Sequence, residues 1–215
     1  MLYTQNKNLA QMNEISKVCF GGASLSGAGG GYGFGYISEK EVESLIQHSL
    51  DRGITIFDTA PIYGFNESEM ALGKNLKNCR EKVKIISKCG VSWHENMRVN
   101  MSNDPKTCQK MLDQSLKHFD YLDIYMVHWP DSKVDIRYTL EVLQRAQDKG
   151  LVKHIGLCNT TSDELLKAKE VSRIDVIQSE CNFFQNKLKE IESKFSGLTM
   201  GWGTFDKGIL TGSVN

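Results

Sequence analysis

The sequence predicts an α/β fold of parallel strands, with a (β/α)8 TIM barrel and a doubly wound open sheet as the two candidates. Three observations carry that expectation. Short β-branched or apolar runs alternate along the chain with longer segments of helical period. The apolar runs hold too few polar residues for a sheet with one wet face, which suits parallel strands covered by helices. Seven such runs and six helical segments repeat at roughly 30 to 35 residues, the size of a βα unit. No linker-like stretch interrupts the pattern, so residues 1–215 are expected to form a single domain.

The strand candidates are Val18–Gly21, Ile54–Phe57, Val83–Ser87, Tyr121–Val127, Lys153–Leu157, Ile174–Ile177 and Leu198–Trp202. Start and stop signals bracket the helices between them. Ser38 with Glu41 three residues on forms a capping box, Val42, Leu45, Ile46 and Leu50 make the apolar stripe, and Gly53 ends the helix. Asn66 with Glu69 starts the second helix. Asp104 before Pro105 starts the third, with Met111, Leu112, Leu116 and Phe119 inward. Ile136, Leu140 and Leu143 mark the fourth, closed by Gly150, and Thr161 with Glu164 caps the fifth. Residues 186–195 carry a weaker sixth.

Composition narrows the function. Apolar residues make up 40% of 215, ordinary for a soluble domain with a real core. Lys+Arg and Asp+Glu are equal at 26 each, which argues against a nucleic-acid binder working by broad electrostatics. No apolar run approaches the roughly 20 residues of a membrane helix. Residues 1–10 are polar and do not read as a signal peptide, so a cytoplasmic location is expected. Cys19, Cys79, Cys89, Cys108, Cys158 and Cys181 form no C-x-x-C pair and no zinc-ligand spacing. They read as small, mostly buried hydrophobes in a reducing compartment, with no metal site.

Eight glycines between Gly21 and Gly35 suggest a dinucleotide fingerprint. The helix cap at Ser38 comes well after them, whereas that fingerprint opens a helix directly. A long loop after the first strand is the better reading, either a surface loop or one lip of a pocket touched by Tyr32 and Phe34.

Polar residues at strand ends are more informative. Asp58 falls at the end of strand two, Tyr63 lies in the loop beyond, Lys88 ends strand three, and His128 follows strand four. In barrels and open α/β sheets alike, that edge is where sites are built. Each residue alone has an ordinary explanation, as a turn cap, a solvated lysine or a satisfied core histidine; four converging on one rim do not. A tyrosine titrates at about 10, too high for efficient acid–base work near neutrality. A nearby ammonium favours the phenolate, a carboxylate fixes that ammonium, and a histidine can hydrogen-bond a substrate oxygen. The set makes a proton donor for a carbonyl oxygen, useful when a hydride arrives at the carbonyl carbon from a reduced cofactor.

The segments FDTAPIYGFNESEMALGKNLK, ISK and VHWPD together resemble the aldo-keto reductase family. The likeness continues through GLCNTT at 156–161, IDVIQSECN at 174–182 and GWGTFDKGILTG at 201–212. The resemblance implies a (β/α)8 barrel and NADPH-dependent reduction of a small-molecule carbonyl, with NAD not excluded. It implies Tyr63 as general acid, Lys88 depressing its pKa, Asp58 pairing with Lys88, and His128 polarising the carbonyl. Asn159 and Gln178 would bind the nicotinamide carboxamide. Trp202 stands where the family has a stacking tyrosine, Cys158 replaces a serine among the cofactor contacts with a weaker hydrogen-bonding thiol, and Thr204 and Phe205 replace a proline and a leucine in the cofactor-facing loop. Substrate contacts are expected from Tyr32, Trp93 and Trp129, with Phe34 and His94 as further candidates.

Two departures follow from the same resemblance. Asn182 and Trp202 are 20 positions apart, so the sixth helix must be short. The sequence ends at Asn215, just past strand seven, so strand eight, the final helices and the grip on an adenosine 2′-phosphate are expected to be lacking. Unpaired edges would then invite self-association. The competing readings are a non-catalytic barrel acting as a binding or regulatory subunit, and a fragment of a longer enzyme.

Overall fold

The computed structural model describes residues 15–27 and 34–212. Seven parallel strands form one sheet: β1 (Cys19–Gly21), β2 (Ile56–Asp58), β3 (Lys84–Cys89), β6 (Leu122–Val127), β7 (Val152–Cys158), β8 (Val176–Glu180) and β9 (Leu198–Trp202). Between β3 and β6 lies an antiparallel hairpin of β4 (Val91–Trp93) and β5 (Val99–Met101). The helices are α1 (Glu39–Asp51), α2 (Glu67–Leu76), α3 (Pro105–Ser115), α4 (Ile136–Asp148), α5 (Ser162–Lys169) and α6 (Lys189–Glu192).

Strand order decides between the two candidate architectures. Each strand of the main sheet lies beside its predecessor, in the order β1-β2-β3-β6-β7-β8-β9. A doubly wound sheet reverses direction at a switch point, whereas this one winds one way throughout, as a barrel does. β1 and β9 form the two edges among the described residues.

Alternation along the strands produces two apolar layers. Ile56, Ile86, Ile124, Met126, Cys158, Val176, Leu198 and Met200 fill the inside of the curl. Phe57, Ile85, Cys89, Tyr125, Val127, Ile155, Leu157 and Ile177 point outward, against Ile46, Leu72, Leu112, Leu140, Leu143 and Leu165 of the helices. Strands buried on both faces read as continuous apolar runs, the feature that made them legible.

Ser38 and Thr161 form full capping boxes with Glu41 and Glu164, and the Asp104 side chain accepts from Thr107 N with Pro105 in the first turn. The second helix begins differently. Asn66 is left-handed (φ 81°) and makes no side-chain cap, and Glu69 is fully buried instead of reaching back to it. Leu45, expected in the apolar stripe of α1, is 43% exposed. The sixth helix shrinks to four residues, shorter than the 186–195 expected. The β4–β5 hairpin and the 3₁₀ turn at Gly22–Leu25 were not anticipated.

Candidate active site

The site stands at the carboxyl ends of the strands. Asp58 is the last residue of β2, and the chain beyond it is pinned to β3 by Thr59 N donating to Ile86 O at 2.8 Å. Consecutive turns then carry Tyr63. Its N–H donates to Ala60 O, its carbonyl accepts from Ser68 N, and Asn66 N donates to Pro61 O at 2.7 Å. One glycine of the first loop and one of the loop after β2 allow close packing here. A Cβ on Gly22 would meet Asp58 O at 2.5 Å, and Gly64 (φ 63°) would meet Ser26 O at 2.5 Å. So the start of the glycine-rich segment braces the loop that holds Tyr63. Tyr32 lies outside the described residues, and Phe34 is 77% exposed.

Lys88 lies on the inward face of β3 and is 1% exposed. Its Nζ forms an ion pair with Asp58 Oδ1, donates to Thr59 O at 3.0 Å, and lies 3.5 Å from Tyr63 Oη. His128 follows β6, its N–H donating to Cys89 O at 2.8 Å. Its Nε2 is 3.5 Å from Tyr63 Oη, and the two rings meet edge-on at 87°. The structure therefore brings Asp58, Tyr63, Lys88 and His128 together. The 3.5 Å approaches are long; such contacts often tighten only when substrate is present.

Burial sets the proton inventory. The Tyr63 phenol is half-buried yet closely surrounded by protein, and desolvation pushes its pKa up to about 12 while Lys88 pulls it down. The lysine acts in the expected direction, but burial wins. Burial pulls the Lys88 pKa down; Asp58 and the neighbouring groups outweigh it and hold the amine charged, above its ordinary range. Burial, then Lys88, drives His128 well below the usual histidine value, so its imidazole is neutral near pH 7.

A second group of residues lines the same rim. Asn159, just past β7 (φ 54°), donates from Nδ2 to His128 O at 3.1 Å and accepts from Trp202 Nε1 at 3.1 Å. Gln178 of β8 donates from Nε2 to Asp58 Oδ2 at 2.6 Å, and Cys158 Sγ lies 3.3 Å from Gln178 Oε1. Phe205 stands beyond β9, 63% exposed. Trp93 packs on Phe65 with ring centroids 5.3 Å apart, in a small apolar cluster with Tyr63, Ile62 and Val91. Trp129 is 38% exposed, its carbonyl accepting from Asn103 Nδ2 at 3.0 Å.

Sequence reasoning missed three contributors. Asn103, fully buried, ties the loop after β6 by accepting from Asp131 N and donating to Trp129 O. The hairpin supplies an apolar wall beside Tyr63. Glu69 lies behind β3, accepting from Ser87 Oγ at 2.6 Å. An Asn just ahead of the Asp104–Pro105 cap, and serines inside apolar segments, were the available signals. Among the described residues no His/Cys/Asp/Glu group could hold a metal ion, and no helix is long and apolar enough to cross a membrane.

A one-way parallel barrel with its polar residues gathered at the strand ends defines the class. Residues 17–215 match the model of the Aldo/keto reductase family, and the chain belongs to that family. It is 33% identical over 193 residues to aldo-keto reductase YhdN of Bacillus subtilis, covering 86% of this chain and 58% of that protein. An aldo-keto reductase of Gibberella moniliformis is 30% identical over 152 residues, covering 69% of this chain and 46% of that one. Among solved structures, the glycerol dehydrogenase AKR11B4 of Gluconobacter oxydans superposes with a TM-score of 0.82 at 28% identity, covering 94% of this chain and 63% of that chain. The chain thus spans about half the length of the curated relatives it matches.

Proposed function

We propose that this barrel carries the active centre of an oxidoreductase that reduces an aldehyde or ketone to the alcohol with a nicotinamide dinucleotide, NADPH or NADH. The observation that carries the reading is the placement of Tyr63 Oη 3.5 Å from both the Lys88 ammonium and the neutral His128 imidazole. The rim residues have the right chemistry for the cofactor's reactive end. Asn159 and Gln178 offer amides that complement a carboxamide, and the half-exposed Trp202 indole offers an aromatic face for a ring. When bound, the reduced nicotinamide supplies a hydride.

The protein's own part is to hold and move one proton. His128 Nε2 and Tyr63 Oη converge on the position a carbonyl oxygen would take, so the imidazole orients and polarises it. Tyr63 transfers its proton to that oxygen as the carbon receives the hydride, completing the alcohol. The phenolate left behind is stabilised by Lys88, which Asp58 keeps charged, and is reprotonated from water. A Tyr63 pKa of about 12 keeps the donor loaded through the neutral range. Trp93 and Trp129 form the flanks a substrate would meet.

The test is loss of NADPH or NADH absorbance with a panel of aldehydes and ketones. Tyr63→Phe should lower kcat by about 10²- to 10⁴-fold while nucleotide quenching of protein fluorescence stays near the parent's. Parent-like turnover in that variant would remove Tyr63 from the role. We also infer a cytoplasmic setting, which six free cysteines suit, and self-association of this polypeptide through the β1 and β9 edges. Sizing chromatography showing a stable monomer would contradict the second inference.

A further inference from the structure

Asp58 is held by more than Lys88. Gln178, 120 positions away in sequence, donates from Nε2 to Asp58 Oδ2. A carboxylate only accepts, so the amide must present its NH2 group to Asp58 and turn its oxygen the other way. That oxygen faces Cys158 Sγ at 3.3 Å. An amide oxygen also only accepts, so the thiol must be the donor. Asn159 Nδ2 donates to the same sulfur from 3.2 Å, so Sγ accepts in one direction and donates in another. Cys158 is 2% exposed, out of reach of water as a substitute donor.

We propose that Cys158 is a positioning residue: its thiol secures the Gln178 amide in the orientation that Asp58 requires and, through it, steadies the Asp58 carboxylate that pairs with Lys88. The effect on turnover rests on the carbonyl-reductase reading; the hydrogen-bond chain is a property of the protein alone. Burial supports the protonated thiol, pushing its pKa up to about 12. A cysteine that served only as a packed hydrophobe would behave oppositely on substitution, because alanine would then be the mild change and serine the harmful one.

Infrared spectroscopy of the parent chain reads the thiol directly. The S–H stretching band that disappears in Cys158→Ala should lie at the low frequency of a hydrogen-bonded thiol. Gln178→Leu should move it to the position of a free thiol. Asp58→Asn should move it too. An asparagine there must give its oxygen to Lys88 and its NH2 to Gln178, which inverts the Gln178 amide and leaves the thiol facing a donor. A band already at the free position, or unmoved by either substitution, overturns the proposal.

Melting temperature supplies the second arm. Cys158→Ser should melt with the parent, and Cys158→Ala about 2 to 4 °C lower, the loss of one buried hydrogen bond in a domain of this size. The reverse order overturns the proposal. With any carbonyl the parent reduces, Cys158→Ala should turn over about tenfold more slowly and Cys158→Ser should recover. Unchanged turnover in Cys158→Ala also overturns it. A parent chain that reduces no carbonyl would refute the proposed activity, while the infrared and melting arms would still decide the role of Cys158.

Discussion

Ser87 and Lys88 are neighbours on β3 and point to opposite faces of the sheet, and each stands in a buried polar cluster of a different kind. On the inner face, Lys88 meets Asp58, whose second carboxylate oxygen takes the Gln178 amide. On the outer face, Ser87 meets Glu69, which is 0% exposed and receives a hydroxyl where Asp58 receives an ammonium. Glu69 Oε2 has no partner within hydrogen-bond distance among the described residues. Desolvation raises Glu69 to about 7, with the Ser87 and Ser115 hydroxyls and then Lys88 only partly opposing it. Burial does not by itself decide charge in this protein. A buried carboxyl facing a cation keeps an ion pair, and one facing hydroxyls takes up a proton.

Breaking the inner cluster should have the largest effect on stability. Lys88→Met leaves Asp58 buried without its counter-charge, which costs about 3 to 5 kcal/mol. Adding Asp58→Asn should recover part of that loss, because the stranded charge is gone. Urea denaturation reads both. A Lys88→Met chain as stable as the parent would mean that the ion pair is not what holds this face. Turnover should fall in the same variant, with Tyr63 moving still further from neutrality.

The outer cluster should show itself through pH. Glu69 holds its proton in the folded chain to about pH 7 and in the unfolded chain only to its ordinary 4.5. The folded state therefore binds the extra proton between those values, and its stability falls as pH rises through that window, then levels off. The loss is about 3 kcal/mol. Glu69→Gln cannot titrate, so the urea midpoints of variant and parent should converge toward pH 5 and separate in the variant's favour toward pH 8. A constant difference across that range would mean that Glu69 is already charged at pH 5.

An exposed polar cluster sets the lower end of the scale. Thr161 caps α5 with Glu164 at the surface, the threonine exposed and the glutamate half-buried. Thr161→Ala should cost about 1 kcal/mol, independent of pH between 6 and 8. A loss as large as that of Lys88→Met would show that α5 contributes more than its cap.

Much of this was legible in the residues. Parallel strands buried on both faces gave unbroken apolar runs, and the seven runs became seven strands with ends shifted by at most three residues. A parallel sheet puts every strand's carboxyl end on one rim, so Asp58, Lys88 and His128 could be brought together from strand ends alone. The β4–β5 hairpin escaped because Val91-Ser92-Trp93 and Val99-Asn100-Met101 are three-residue strands around a turn, with Met97 left-handed (φ 64°) and no glycine to announce it. The links from Gln178 to Asp58 and from Trp202 to Asn159 join residues 120 and 43 positions apart, and no local pattern encodes them. Glu69 misled for a different reason. Its spacing from Asn66 matches a capping pair, but packing against β3 drew the carboxyl inward to Ser87.

In the proposed reaction a hydride passes from a nicotinamide to a carbonyl carbon while Tyr63 supplies the proton. The direct measurement uses NADPH deuterated at its hydride-carrying carbon, an aldehyde the chain accepts, and mass analysis of the alcohol. The account predicts one deuterium on the carbinol carbon, with the label's appearance slowed about 10²-fold or more in Tyr63→Phe. Alcohol formed without the label, or labelled as fast by Tyr63→Phe as by the parent, would contradict it.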